Sequence, residues 1–306
     1  MGHIGIVLNA SSGSGTAEKA AHRLKEMLAE AGKEARLTLA RSGSELGSAM
    51  RREVDAGCDA LVVGGGDGTI NTGAQAVLQR GIPLGVLPLG TLNHFAKDLG
   101  IPLDLEEAAG VVLQGVVCKV DIGEVNGRLF LNNSSIGVYP AIVRLRERYQ
   151  ASGTSKWIAA LWAALAVLRR NPFMAVRITA DGETTVRRTP FVFIGNNEYR
   201  MVGLNPGVRE SLANKHLALY VLNADRRVGL LRLAMQVVVK GADDAKELDL
   251  ITVEAASIET KRRRLQVALD GEVVFLESPL EYRVKPGALR VYVPAEASAC
   301  YPHSFG

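Results

Sequence analysis

Cysteine and long apolar runs are scarce in this sequence. The three cysteines, Cys58, Cys118 and Cys300, lie far apart and form no C-x-x-C pair, so neither a disulfide framework nor a thiolate zinc site is expected, and a reducing cytosol fits. The most apolar run, residues 157–168 (WIAALWAALAVL), is shorter than the ~20 residues of a membrane-spanning helix. Residues 1–9 lack the basic segment and cleavage site of a signal peptide. We therefore expect a cytoplasmic protein that contacts a membrane at most peripherally, at its inner face.

Length, hydrophobicity and charge give the first positive expectations. A chain of 306 residues corresponds to about two domains at roughly 150 residues each, and a hydrophobic share of 47% is enough for a substantial core. The formal net charge of +4 and the sequence pI of about 9.0 favour anionic partners such as nucleotides or anionic lipid surfaces.

The pattern of the chain changes near residue 125. Before it, strand-like and helix-like segments alternate, which predicts a parallel sheet with helices on both faces and an α/β nucleotide domain over residues 1–125. After it, short alternating runs separated by turns such as Asp181-Gly182 and Asp270-Gly271 predict a β-rich domain over residues 126–285. Helices are expected within it near residues 141–170 and 228–239.

The most informative motif is GGGDGT at residues 64–69, between a predicted strand and a predicted helix. Glycines let the backbone turn tightly and approach a phosphate, the helix start offers free N–H groups, and Thr69 adds a hydroxyl donor. Because a carboxylate repels a phosphate, Asp67 at this position needs a cation or a hydrogen-bond network to compensate its charge. The alternative is an ordinary glycine-rich turn. The spacing matches neither G-x-G-x-x-G nor a Walker A motif.

Two further turns are predicted at the same sheet edge. Residues 88–93 (PLGTLN) follow the fourth strand, and residues 9–15 (NASSGSG) follow the first. Because ligands bind beyond the carboxyl ends of parallel strands, these turns and GGGDGT predict a nucleotide cleft. Thr91 is interpreted equally well as a helix cap or as a phosphate donor.

The ordered set NASSGSG, GGGDGTIN, PLGTLNHFAKDLGIP, VDIGEVNGRLF and ALDGE resembles the bacterial diacylglycerol kinase-like lipid kinases, relatives of the sphingosine and ceramide kinases. The resemblance implies a three-layer α/β nucleotide domain followed by a β-sandwich-like domain, with the active site between them. It also implies that residues 286–306 return to the first domain. The nucleotide contacts it implies are Asn9, Gly65, Gly66, Asp67, Gly68, Thr69, Asn71 and Thr91.

The DGE motif provides the candidate catalytic carboxylates. The resemblance implies that Glu272 is the general base, and phosphoryl transfer to an alcohol needs such a group to accept the hydroxyl proton. Asp270 of the same motif and Asp67 are the other catalytic candidates. Taken alone, residues 267–274 favour a hairpin with Asp-Gly at its tip. Taken together with GGGDGT, they favour the catalytic role.

The chain departs from the family pattern at two positions. His94 stands where the family often has an aspartate of a metal-organising network, and Asn214-Lys215 replaces an Asp-Gly pair at a second metal site. Metal ligation through Ser211, Asn214 and His216 is therefore weakly supported. Mg²⁺ carried by the nucleotide is still expected.

These features predict an ATP-dependent, Mg²⁺-dependent lipid kinase that acts on a diacylglycerol, sphingoid or phosphatidylglycerol-like lipid. The alternatives are an NAD kinase-like enzyme for a soluble substrate and a catalytically weak nucleotide-binding regulator. Residues 156–170 are either a lipid-contacting wall or a core helix, and residues 261–264 (KRRR) either contact headgroups or form a solvated turn. Nucleic acid is not an expected partner, and a homodimer is left open.

Overall fold

The structure is a computed structural model, and it describes residues 3–11, 16–137, 173–202, 205–209, 211–222 and 248–297. The helices expected near residues 141–170 and 228–239 lie outside these residues. The chain divides into two compact units. Unit 1 comprises Met1–Ile122, Val208–Lys215 and Lys285–Gly306, and unit 2 comprises Gly123–Gly207 and His216–Val284.

Strands and helices alternate in the first part of the chain, and strands dominate afterwards. The elements of the first part are β1 (Ile4–Asn9), α1 (Thr16–Glu30), β2 (Ala35–Ala40), α2 (Gly43–Asp55), β3 (Ala60–Gly65), α3 (Asp67–Leu78), β4 (Leu84–Pro88), α4 (His94–Asp98), α5 (Leu105–Gln114) and β5 (Val116–Val125). The later strands are β6 (Arg128–Phe130), β7 (Asn133–Gly137), β8 (Met174–Ala180), β9 (Glu183–Thr189), β10 (Phe191–Asn196), β11 (Tyr199–Val202), β12 (Asn205–Arg209), β13 (Leu217–Leu222), β14 (Leu248–Val253), β15 (Ala255–Thr260), β16 (Arg264–Leu269), β17 (Glu272–Glu277) and β18 (Leu280–Val293).

Unit 1 is a parallel sheet between layers of helices, as the alternation of elements predicts. The strand order is β2-β1-β3-β4, and the last part of β18 pairs in parallel with β4 through Val291 and Leu84. The central strands β1 and β3 are apolar and buried along almost their whole length, as strands covered on both faces must be. Helix α5 packs on β4 and α1, while α2 and α3 pack together.

The strand order reverses direction between β1 and β3. The chain runs from β1 outward to β2, and then to β3 and β4 on the other side of β1. Such a switch point opens a crevice beyond the carboxyl ends of the two strands, which is where ligands bind in open α/β sheets. The residues at these strand ends are Asn9 and the GGGDGT turn.

Two helix starts show how local sequence sets the boundaries of unit 1. Ser42 caps α2, since its side chain accepts a hydrogen bond from the N–H of Glu45. Asp104 caps α5 by accepting from the N–H groups of Glu106 and Glu107. The alternating pattern did not predict α5, although the sequence Asp-Leu-Glu-Glu at its start is a typical capping signal.

Unit 2 is a β-sandwich. One sheet has the antiparallel order β14-β13-β10-β7-β16-β17, and the other pairs the first part of β18 with β15, β8 and β9. Apolar side chains from both sheets form one core, in which Ile136 and Val267 of the first sheet and Ile258 of the second are fully buried. The Asp181-Gly182 and Asp270-Gly271 turns have positive φ at both residues, as two-residue hairpin turns require.

Cys118 is disulfide-bonded, which the spacing of the cysteines along the chain did not predict. Spacing along the chain does not show which cysteines become neighbours, because a disulfide depends on separation in space. Cys58 is a free, buried thiol, and burial raises its pKa. Among the helices that the structure describes, none is long and apolar enough to cross a membrane.

Candidate active site

The GGGDGT motif forms the turn between β3 and α3. Gly66 is the N-cap of α3, and the first hydrogen bond of the helix runs from the N–H of Ile70 to the carbonyl of Gly66, 3.0 Å. The N–H groups of the first helical turn precede this bond and so point beyond the helix start. Gly65 has no room for a side chain, since a Cβ there would lie 2.6 Å from the Thr69 side chain. The turn therefore offers the bare backbone donors that an anion site needs.

The PLGTLN turn packs directly against the GGGDGT turn. The N–H of Leu89 donates to the carbonyl of Gly65 at 3.1 Å. A Cβ on Gly90 would lie 2.4 Å from the Cα of Gly66, so the two glycine backbones are in contact. The two turns that the sequence placed at one sheet edge thus form a single surface.

Asp67 joins these two turns through hydrogen bonds to the start of α4. Its Oδ2 accepts from the N–H of His94 at 3.2 Å, and its Oδ1 accepts from the N–H of Phe95 at 3.1 Å. The N-cap residue of α4, Asn93, makes no capping bond with its own side chain. Asp67 therefore caps a helix that begins 27 residues later in the chain, and this is the hydrogen-bond network that its position requires.

Asn93 holds the PLGTLN turn in shape. It is buried, it adopts a left-handed conformation with φ 49°, and its Oδ1 accepts from the N–H of Gly90 at 3.0 Å. Its Nδ2 donates to the carbonyl oxygens of Gly90 at 2.8 Å and Pro88 at 3.3 Å. The sequence motif contained this residue, but its role was not predicted. The signal was an asparagine just before a helix, since asparagine tolerates left-handed backbone.

Three further predicted nucleotide contacts, Asn9, Asn71 and Thr91, lie in different elements of unit 1. Asn9 is at the end of β1, and its Nδ2 lies 3.4 Å from the Thr69 hydroxyl, so the structure brings these two together. Asn71 lies one helical turn into α3 and accepts from the side chain of Gln75. Thr91 is exposed in the PLGTLN turn, two residues before the N-cap. The interpretation of Thr91 as the helix cap is therefore wrong.

Asp121, on β5, is a buried acidic residue of unit 1. Its carboxylate accepts from the N–H groups of Lys215, at 2.6 Å, and Gly287, at 2.8 Å, and its own N–H donates to Leu212. The exposed Lys215 has a left-handed backbone with φ 62°. Asp121 thus binds both the segment Val208–Lys215 and the part of β18 that belongs to unit 1.

The described residues fit Mg²⁺ only as an ion carried by nucleotide phosphates. They contain no group of three acidic, histidine or cysteine side chains able to hold a metal ion. Asp121 is a poor ligand because it is 1% exposed and its carboxylate accepts the backbone N–H groups of Lys215 and Gly287. Mg²⁺ with phosphate ligands needs only one or two protein carboxylates, and the partly exposed Asp67 is a suitable one.

In unit 2, Asp270 fixes the position of the DGE turn. Its Oδ1 accepts from the N–H groups of Asn132, 2.8 Å, and Asn133, 3.0 Å, and its Oδ2 accepts from Leu131, 2.8 Å. Its own N–H donates to the carbonyl of Asn133 at 2.9 Å. A carboxylate that accepts three backbone N–H groups is a strong structural anchor. These contacts favour a positioning role for Asp270.

Glu272 opens β17, opposite Leu269 in β16, and its side chain is exposed. A carboxylate that is open to solvent on a turn held by Asp270 is available to accept a proton. The turn at residues 196–198, at the end of β10, has a structural role instead. Asn196 is fully buried and donates to the carbonyl of Leu131 at 2.9 Å, while Glu198 lies 3.3 Å from the imidazole of His216.

A buried ion pair next to the site was not predicted. The Arg209 side chain is fully buried, and its Nη2 lies 2.7 Å and its Nε 2.9 Å from Oδ2 of Asp98, the last residue of α4. The N–H of Arg209 donates to the other carboxylate oxygen at 3.1 Å. No local pattern indicates a pair of residues 111 positions apart.

Comparison with known proteins agrees with this geometry. The family model for the diacylglycerol kinase catalytic domain matches residues 3–125, and that for the YegS C-terminal NAD kinase beta sandwich-like domain matches residues 135–293. The expected two-domain fold, an α/β catalytic domain followed by a β-sandwich, is confirmed. The chain belongs to the diacylglycerol kinase-like lipid kinase family.

Individual relatives cover most of the chain. A diacylglycerol kinase of Mycobacterium tuberculosis is 29% identical over 304 residues, 96% of each chain. A Pseudomonas aeruginosa protein named "Probable lipid kinase YegS-like" is 30% identical over 278 residues, 87% of each chain. A crystal structure of a Bacillus anthracis diacylglycerol kinase superposes with a TM-score of 0.70 at 21% identity, covering 95% of this chain and 96% of that one, which supports the fold alone.

Proposed function

We propose that this protein is an ATP-dependent kinase that transfers the γ-phosphate to a lipid hydroxyl of the diacylglycerol, sphingoid or phosphatidylglycerol type. The observation that carries the proposal is the joined pair of glycine turns in unit 1. Backbone contact between Gly66 and Gly90 and the capping bonds of Asp67 give one rigid surface of N–H donors at the sheet edge. Such a surface suits a polyphosphate.

In this proposal the nucleotide phosphates bind the first turn of α3, with the hydroxyls of Thr69 and Thr91 as further donors. Asn9 orients Thr69, since its amide lies within reach of that hydroxyl. Phosphoryl transfer depends mainly on positioning and on charge stabilisation, so preformed donors are the main contribution of the protein. Mg²⁺, when bound with ATP, would neutralise charge on the phosphate oxygens, and Asp67 is the residue that would hold it.

Glu272 accepts the proton in the proposed reaction. The lipid hydroxyl oxygen forms a bond to the γ-phosphorus, the bond from that phosphorus to the leaving ADP oxygen breaks, and the hydroxyl proton passes to the Glu272 carboxylate. The exposure of Glu272 and the rigid turn beneath it support this role. Asp270 holds the turn that carries Glu272 in place.

The Glu272→Gln variant tests the proposal, because the amide keeps the size of the side chain but cannot take the proton. We expect phosphate transfer to lipid to fall by about 10²–10⁴-fold, with the affinity for ATP unchanged. Glu277→Gln is the matched control, since Glu277 is an exposed glutamate on the same strand. Wild-type turnover in the Glu272→Gln variant would remove Glu272 from the mechanism.

A catalytically weak nucleotide-binding protein is a second candidate, favoured by His94 and Lys215 at positions where the family often has an aspartate and a glycine. Radiolabelled ATP offered with diacylglycerol, sphingosine, phosphatidylglycerol and NAD separates the functions. Labelled lipid supports the kinase, labelled NADP supports an NAD kinase-like enzyme, and tight ATP binding without any product supports the regulator.

A further inference from the structure

Four consecutive cations follow β15 in unit 2, three in the turn to β16 and one at the first position of β16. Lys261, Arg262, Arg263 and Arg264 are all exposed. The turn has a fixed shape: the N–H of Arg262 donates to the Thr260 hydroxyl at 3.2 Å, that hydroxyl donates to the Arg262 carbonyl at 3.0 Å, and the N–H of Ser278 donates to the Arg263 carbonyl at 2.8 Å. The cations therefore project from an ordered turn.

Two phenylalanines lie at the same end of the sandwich, each beside an arginine. The guanidinium carbon of Arg264 is 4.6 Å from the ring centroid of Phe275, and that of Arg188 is 5.6 Å from the ring centroid of Phe173. Phe275 is 53% exposed, on the edge strand β17. The turn joins a strand of one sheet to a strand of the other, and β8 begins directly after Phe173. We call residues 261–264 with Phe173, Arg188 and Phe275 the basic end.

Acidic side chains near the basic end do not cancel its charge. Glu277 approaches Arg263 only to 3.9 Å, and both side chains are mostly exposed, at 70% and 88%, so their attraction is largely screened. Glu259, at the end of β15, is paired with Arg177 at 3.3 Å. The basic end thus combines a strong local positive charge with an exposed aromatic ring.

We propose that the basic end is a docking surface for an anionic lipid bilayer. Lysine and arginine near such a surface each strengthen binding, and aromatic rings flanked by cations are suited to the headgroup region. The proposal deepens the proposed function, on which it rests for a lipid substrate. Glu272 lies at the far end of the β16–β17 hairpin from Arg264, about 17 Å along the strand. Docking here therefore recruits the enzyme to the bilayer rather than positioning the hydroxyl.

The test measures binding of the full chain to vesicles of phosphatidylcholine alone or mixed with phosphatidylglycerol, by co-sedimentation. The wild type should bind the mixed vesicles and not the neutral ones, and binding should weaken as salt is added. The variant Arg262→Gln/Arg263→Gln should bind about 30-fold more weakly, at roughly fivefold for each cation. Phe275→Ser should also weaken binding. The control Arg51→Gln/Arg52→Gln removes two adjacent exposed arginines of α2 in unit 1 and should bind like the wild type.

Equal loss of binding in the control and in the basic-end variant would overturn the proposal, because the attraction would then reflect net charge alone. Binding of a labelled RNA or DNA duplex at concentrations that leave vesicles unbound would also overturn it. Vesicle binding is read without ATP, so it stands or falls independently of the kinase reaction. For the kinase itself, the basic-end variant should phosphorylate a short-chain, water-soluble diacylglycerol like the wild type and lose activity only on vesicle-bound lipid.

Discussion

At the scale of single residues, the carboxylate of Asp67 decides how the two glycine turns are held together. Both oxygens accept backbone N–H groups at the start of α4, so Asp67 has a structural task before any nucleotide binds. A metal ligand and a helix cap place different demands on this side chain. A metal ligand must carry a negative charge beside the ion, whereas this helix cap must present two acceptor oxygens to two backbone N–H groups.

Asp67→Asn should separate these roles. An amide keeps one acceptor and turns an NH₂ group toward the second N–H, so we expect unfolding in the absence of nucleotide and Mg²⁺ to become easier by about 1–3 kcal/mol. Affinity for ATP should fall with it, because the PLGTLN turn loses its anchor. Thermal unfolding and calorimetric titration with ATP measure the two effects. Asp59→Asn, an exposed aspartate of unit 1, is the control. An unchanged melting temperature with a weakened response to Mg²⁺ would contradict the capping role.

The residues of the GGGDGT turn could be predicted from sequence because their structure is local. A buried strand, three glycines and a helix start follow one another directly. The tight turn and the free N–H groups at the helix start then follow from local backbone conformation. The partners of Asp67 and Asp121 could not be predicted in the same way. Lys215 meets Asp121 across 94 positions, and only the folded sheet brings these segments together. Thr91 shows the same limit, since the first N–H groups of α4 are capped by Asp67 from the other glycine turn, and the sequence of the PLGTLN turn alone does not show this.

At the scale of elements, the short helix α4 depends on contacts at both of its ends. Asp67 holds its first N–H groups, and Asp98 at its last turn forms the buried pair with Arg209. A helix of five residues has little stability of its own. The geometry of the PLGTLN turn therefore depends on a segment, Val208–Lys215, that enters unit 1 from a distant part of the chain.

Arg209→Leu should be strongly destabilising, because it leaves the buried Asp98 carboxylate without its counter-charge. Breaking such a pair costs about 3–5 kcal/mol, whereas replacing both partners by apolar residues is often nearly neutral. Asp98→Leu/Arg209→Leu should therefore recover much of the loss. Urea unfolding of both single variants and the double variant gives the coupling energy. Independent, additive effects of the two changes would show that the pair does not act as a unit.

The alternation of strand-like and helix-like segments predicted the parallel sheet and the flanking helices of unit 1, but not α5. In the β-rich half it was less complete. The junction of β6 and β7 forms a corner, where Asp270 accepts hydrogen bonds from three backbone N–H groups. Period-two patterns describe strands that pair regularly and not the corners between them. The buried asparagines of this corner carry no pattern of their own.

At the scale of the whole molecule, the parallel sheet of unit 1 includes β18, a strand that lies far from β1–β4 in the sequence. All the predicted nucleotide contacts lie within the first 91 residues, yet β4 takes its next neighbour from β18. Leu289, Val291 and Val293 of this strand are fully buried in unit 1. We therefore expect folding of the nucleotide site to require β18, and pairing between segments so far apart in the sequence is slow on general grounds.

Leu289→Ala/Val291→Ala should consequently abolish ATP binding, although neither residue touches the proposed phosphate surface. Large-to-small changes at buried sites cost about 2–5 kcal/mol for leucine and somewhat less for valine, and the sum approaches the 5–15 kcal/mol that typically holds a domain together. Loss of the ATP-dependent shift in melting temperature is the readout. Val186→Ala, on the exposed face of β9 at 64% exposure, should change stability by less than about 0.5 kcal/mol. A double variant that still binds ATP with wild-type affinity would mean that the first four strands form a self-sufficient sheet, which the complete burial of Leu289 and Val291 argues against.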